Sequence, residues 1–157
     1  MAWSNSKIFS AFVTDSFNRT NAFDLNADTF KAALYDNDIT PDQTVATANT
    51  IYNAGQWTAA GNEVSDGTEW DAGGEPLTGV ASNFSTNVFT FDADNTPSGG
   101  SSATLANVYG CLVYDDTIAA PVADQGVCYN YFGGVNSVTD GSFTIVWNAS
   151  GVFSITA

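Results

Sequence analysis

The sequence predicts a mainly β protein: an antiparallel β-sandwich or barrel-like single domain with a short N-terminal helix. Three observations carry that prediction. Short runs rich in Val, Ile, Tyr and Phe recur along most of the chain, several alternating polar with apolar side chains. Turns bearing Gly, Pro and Asn separate these runs where an α/β protein would place helices. Only a stretch near the N-terminus shows a clear helical stripe. No repeat of fixed period and no linker divides the 157 residues, a length that suits one core. Residues 1–157 therefore read as one unit, with a helical segment over 1–20 and a β body over 28–157 that carries a long loop at 63–79.

In chain order, "SNSKIFSAFVTDSF" reads as the helix, capped by Ser4 or Ser6, with Ile8, Phe9, Phe12 and Val13 as its apolar stripe. "DTFKAALYD" reads as a strand in which Phe30, Ala32 and Leu34 alternate with Thr29, Lys31 and Tyr35. After a proline turn, Thr44 to Asn53 reads as a short helix, although its Thr and Asn content works against helix formation. "NVFTFDA" sets Val88, Thr90 and Asp92 on one face against Phe89 and Phe91 on the other. "LANVYGCLVYD" and "GVCYNYFG" form a hairpin about Ala119 and Ala120, which would set Cys111 opposite Cys128. As buried thiols or as a disulfide, both pairings fit the sequence. Ser142 to Trp147 and Val152 to Thr156 read as a final pair joined across "NASG".

Charge narrows the function. Seventeen acids face three bases, and there is no histidine, for a net charge of −14. The bases Lys7, Arg19 and Lys31 all lie early, so the chain beyond Ala32 is acidic without compensation. Such a surface repels nucleic acid, whose binding needs Lys or Arg to displace counterions, and repels anionic lipid. The segment "MAWSNSKIFSAF" lacks the apolar run of a secretory leader, and no run is long enough to span a bilayer, which points to synthesis in a host cytoplasm.

Without histidine the Ser–His–Asp and Cys–His arrangements cannot form, and two cysteines are too few for a sulfur-rich metal site. No phosphate-binding glycine motif stands between a strand and a helix. Carboxylate pairs such as Glu63 with Glu69 or Asp115 with Asp116 are expected by chance in so acidic a chain, and the sequence is read as non-enzymatic, with no cofactor and no metal. "DADNTPSGG" starts like a calcium loop at Asp92 and Asp94 but has no glycine at its sixth position and ends on Ala103 where an acid belongs. The loop "EVSDGTEWDAGGEPLTG" has carboxylates but no base beside them. Gly73 and Gly74 permit unusual backbone there, Pro76 stiffens the exit, and Trp70 either pins the loop to the body or reaches a neighbouring subunit. It reads as architecture.

Taken together, "DLNADTFKAALYDNDITPD", "NEVSDGTEWDAGGEPLTGV", "LVYDD" and "GSFTIVWNASGVFSI" resemble a set of small virion structural proteins of tailed bacteriophages, many loosely labelled tail fibre. The matched positions are Asp28 to Tyr35, Glu63 to Leu77 and Gly141 to Val152, in order over most of the chain. Glu69 departs from the pattern, standing where glycine is common. The resemblance implies a β-rich fold, many copies per particle and no catalytic residues.

From this comes the expectation of a capsid decoration protein on the outer face of an icosahedral head, partnered by the major capsid protein and by copies of itself, a trimer where the site is a threefold axis. Trp3, Lys7, Ile8, Phe9, Phe12 and Trp70 are the expected capsid or subunit contacts. The competing expectation is a tail-associated module that binds receptor glycans by stacking Trp57, Trp70 or Tyr129 on sugar rings.

Overall fold

In a computed structural model that describes residues 3–157, the chain is 39% strand and 10% helix, all strand pairings being antiparallel. Residues 1 and 2 of the expected helical segment lie outside the described residues. The elements in order are β1 (Lys7–Ile8), α1 (Ser10–Asn18), β2 (Phe30–Tyr35), β3 (Glu63–Val64), β4 (Glu75–Pro76), β5 (Ala81–Ser85), β6 (Val88–Asp92), β7 (Thr96–Pro97), β8 (Ala103–Asp115), β9 (Gly126–Gly141), β10 (Thr144–Ile145) and β11 (Phe153–Thr156).

The main sheet runs β1-β9-β8-β2-β3, with β4 also pairing β2. A second sheet runs β11-β6-β5, and β7 pairs β10. The arrangement is sandwich-like and not a closed barrel. Phe30 of β2 meets Phe91 of β6 at 5.1 Å, edge to face, and so joins the two sheets through their aromatic interior. β2 lies between β8 and the short β3 and β4, which is why Ala32 to Tyr35 are all buried and the expected alternation with exposed positions is absent.

The helix begins later than the sequence suggests. Lys7 and Ile8 pair with Tyr129 and Cys128 as an edge strand, so neither Ser4 nor Ser6 is a cap. The Ser6 hydroxyl instead accepts a hydrogen bond from the Tyr131 N–H at 3.0 Å. Phe9 occupies the cap position with no side-chain bond, and the first helical N–H, that of Ser10, donates to the Gln43 carbonyl at 2.9 Å. Arg19 closes the helix in the left-handed region, φ 56°.

Three further expectations change. Thr44 to Asn53 holds only a 3₁₀ turn, Thr47–Asn49, followed by another at Gly55–Trp57, in keeping with its helix-poor composition. β10 and β11 pair with β7 and β6 and not with each other, leaving a lone Asn148–Gly151 bridge at the expected turn, because each finds its partner in the body. Irregularities in the β8–β9 ladder place Cys128 opposite Val113 and Cys111 opposite Asn130. Both cysteines are free and buried, and burial pushes the Cys128 thiol up to about 12.

Candidate functional site

The residues expected at an interface sit mostly inside the protein. Trp3, Phe9, Phe12 and Trp70 all belong to the buried core. Trp3 donates its indole N–H to the Asp36 carbonyl at 2.6 Å and stacks on Tyr131, while Phe9 packs on Trp57 and Tyr129. Phe12 meets Phe23 at 4.8 Å and Phe153 at 5.9 Å. Lys7 is exposed on the edge strand, and Ile8 beside it is half-buried. Trp57, Trp70 and Tyr129, considered for sugar stacking, are buried as well.

The 63–79 loop is organised by Asp66. One carboxylate oxygen accepts the N–H groups of Thr68, Glu69 and Trp70 at 3.0, 2.8 and 2.9 Å, and the other accepts that of Thr104 on β8 at 3.0 Å. Desolvation disfavours the charge there, but the four donors outweigh it and hold the carboxyl well below the usual carboxylate range. Trp70 is thereby drawn onto Phe143 at 5.6 Å, edge to face. Gly73 donates its N–H to Glu63 at 2.6 Å and accepts the Tyr114 hydroxyl at 2.7 Å. Gly74 (φ +82°) lies so close to the Ala32 carbonyl that a Cβ would overlap it. Every acid that looks available for chemistry in this loop is engaged in holding its shape or faces solvent.

Among the described residues Asp115 is the one acid with an unmatched buried oxygen. Its Oδ1 accepts the N–H groups of Thr117 and Ile118, its Oδ2 has no donor, and it is fully buried. Burial, with the Asp28 carboxylate adding to it, pushes its pKa up to about 6 against those two donors. Asp116 pairs with Lys31 at 2.9 Å. Among the described residues no group of three or more His, Cys, Asp or Glu is placed to hold a metal ion.

The feature that stands apart is an open cleft of ≈ 420 Å³ between α1 and the β5–β6–β11 sheet. From α1 and the turn after it come Phe12, Val13, Ser16, Phe17, Phe23 and Leu25, and from the sheet Phe84, Phe89, Phe153 and Ile155. In a chain of charge −14, no Asp or Glu side chain lines it. Directly opposed residues on antiparallel strands share a face. Phe91 and Phe153 therefore form one row, and Phe84, Phe89 and Ile155 the next. The first row is roofed by the core. The second is not: Phe84 is 60% and Ile155 37% exposed, and Phe17 on the facing helix is 85% exposed. The cleft is the hydrophobic core left open at one end.

Sequence reasoning reached Phe12 but missed the rest of this site because it ended the helical stripe at Val13. The available signal was Phe17, which continues that stripe one turn further, and Phe84 in the uncharged run "ASNFS". No protein-family model, curated protein or solved structure matches the chain.

Proposed function

We propose that the protein is a structural attachment module, a bacteriophage capsid decoration protein that binds the outer face of the head and stabilises it. The observation that carries the reading is the apolar cleft, lined among the described residues by no Asp or Glu side chain, on an otherwise strongly anionic molecule. Three large side chains left in water at one place are unusual for a self-contained monomer, and a cluster of this kind marks an interaction surface. Burying each fully would contribute roughly 1.5–3 kcal/mol, and repetition over a lattice multiplies weak contacts through avidity. A module that binds only the assembled shell stabilises it by mass action. The anionic body suits an outer surface, away from packaged nucleic acid. The reading moves the docking surface from Trp3, Phe9 and Trp70 to the cleft, whose lining includes Phe12.

The test is copy number and position. Quantitative gel densitometry of purified particles that carry this chain should give a simple stoichiometric ratio to the major capsid protein, and labelling should find it on the head exterior. A handful of copies on the tail, or a location inside the shell, overturns the reading.

A further inference from the structure

We propose that the cleft and the free edge of β5 form one strand-acceptor site, taking an extended segment of the shell protein whose apolar residues alternate and which carries a basic residue at the end that lies beside Ala81. The proposal deepens the attachment reading and rests on it.

β5 is the last strand of its sheet. Thr86 and Asn87, at φ 52° and 64°, form a two-residue hairpin turn that makes Ser85 and Val88 the closing hydrogen-bonded pair. Alternation then directs the backbone N–H and C=O groups of Ser82 and Phe84 away from β6, toward the open edge. Ser82 shows this directly. Its N–H donates to Asn26 Oδ1 at 2.7 Å and its hydroxyl to the same oxygen at 3.1 Å, so an exposed asparagine stands where the carbonyl of a further strand would lie. Beyond the Asn26 contact the edge is unprotected, having no Lys, no Pro and no charged side chain along Ala81–Ser85.

A strand added here extends both rows of the sheet. Its inward side chains continue the row of Phe84, Phe89 and Ile155 and fill the space beneath Phe17, while its backbone satisfies Ser82 and Phe84. Strand addition of this kind draws affinity from the backbone and selectivity from alternate side-chain pockets.

A second copy does not fit this role. Each β-strand of the described residues is already paired within the fold, so a copy could offer only a sheet edge, and that edge brings its whole anionic body with it. Joining two clefts face to face also falls short, since eleven residues line the cleft and a stable interface takes about 20–30 a side. Two chains of net charge −14 repel each other besides. Acids stand at one end of the edge, Asp92 opposite Ala81 and Asp24 beside the Asn26 that contacts Ser82, and these call for a basic residue at the end of the incoming segment that lies there. Arg19 lies on the cavity shared with Asp24, and Lys7 lies on the far side of Phe153.

The test uses the intact chain and one defined probe, an acetylated and amidated nonapeptide alternating valine and threonine between terminal lysines. The expected result is saturable binding below about 1 mM, with slowed hydrogen exchange at the Phe84 amide. N-methylation of the probe at the residues facing β5 should weaken it roughly tenfold, the effect of losing two backbone hydrogen bonds. Phe84→Lys should abolish binding while leaving the fold intact, and Asn26→Ala, which frees the Ser82 N–H, should tighten it. No binding by the probe overturns the proposal, and so does binding indifferent to N-methylation. A parallel arm measures saturation of particles stripped of the chain. If wild type and Phe84→Lys saturate them equally, the strand-acceptor site falls while the attachment reading stands. If wild type fails to bind stripped particles, the attachment reading falls whatever the peptide does.

Discussion

Replacing Asp66 by alanine tests the physical account of the 63–79 loop. The substitution removes the acceptor for four backbone N–H groups, three of them within the loop and the fourth on β8. Asp66 itself is only half-buried, so water replaces part of what is lost. The Trp70 residue is fully buried, however, and its N–H would be left with little access to solvent. One buried donor without a partner costs about 1–3 kcal/mol, and the more exposed bonds add fractions of that, giving roughly 2–3 kcal/mol in all. For a chain of this size the loss lowers Tm by about 4–12 °C. Asp66→Asn keeps an acceptor for the loop donors but presents an N–H₂ to Thr104, and should lie between wild type and alanine. Urea denaturation at pH 7 and pH 3 adds a second readout. A carboxylate whose pKa is depressed by folding contributes stability that is complete above its unfolded value near 4 and is lost as pH falls below it. The wild type should therefore lose stability between the two conditions by more than Asp66→Ala does. An alanine variant within about 0.5 kcal/mol of wild type at pH 7, the range of ordinary surface changes, would refute the reasoning, as would equal losses on acidification.

Asp115 should behave in the opposite sense. Its folded pKa of about 6 lies above the unfolded value, so its ionisation costs stability above pH 6, and that cost fades as pH falls toward 4. Asp115→Asn, which keeps an acceptor for Thr117 and Ile118 and offers a donor to Asp28, should raise stability at pH 8 by on the order of 2 kcal/mol and flatten the dependence between pH 8 and 5 in denaturant titrations. Gly74→Ala should cost more than about 3 kcal/mol, because the new Cβ overlaps the Ala32 backbone at a positive φ, whereas Gly67→Ala, also at positive φ but with open space around it, should cost about 1 kcal/mol; thermal melts of the two variants rank them. Phe17→Ser should leave Tm within a few degrees of wild type while lowering the fluorescence of a bound apolar dye such as anilinonaphthalene sulfonate, since Phe17 stands 85% exposed at the cleft.

Much of the fold was legible because period-2 patterns survive wherever one face of a strand is covered. β6 was readable on that ground, as was Phe89 sharing a face with Phe91, whereas β8 and the first half of β9 were readable as apolar runs whose buried stretches are continuous. What failed depended on partners distant in sequence. The segment at Lys7–Ile8 has helical spacing, yet it is an edge strand because β9 offers unpaired backbone there. The final two strands look like a hairpin, yet β6 and β7 capture them separately. The cysteine register failed for a third reason: irregularities along β8–β9 shift the ladder without leaving a mark in composition.

The same displacement explains where the candidate site lies. A helix starting at Ser4 or Ser6 would present Ile8, Phe9 and Phe12 as one stripe available to a partner. The observed helix starts at Ser10, leaves Ile8 in the sheet and turns Phe12 onto Phe23 and Phe153. Only nine residues long, it ends at Asn18 with Phe17 beyond the covered row of the sheet. The sheet meanwhile continues through Phe84, Phe89 and Ile155. An apolar face carried further than the element that should cover it leaves a vacancy with a specific shape, bounded by a helix on one side and an unpaired strand edge on the other. No single segment encodes that vacancy. It follows from the difference in length between two elements, one local and one assembled from strands some sixty residues apart in the chain (Phe91 to Phe153). A missing strand completes both boundaries at once, by backbone pairing at β5 and by side chains beneath Phe17, whereas a helix laid in the cleft would cover the side chains and leave the edge unpaired.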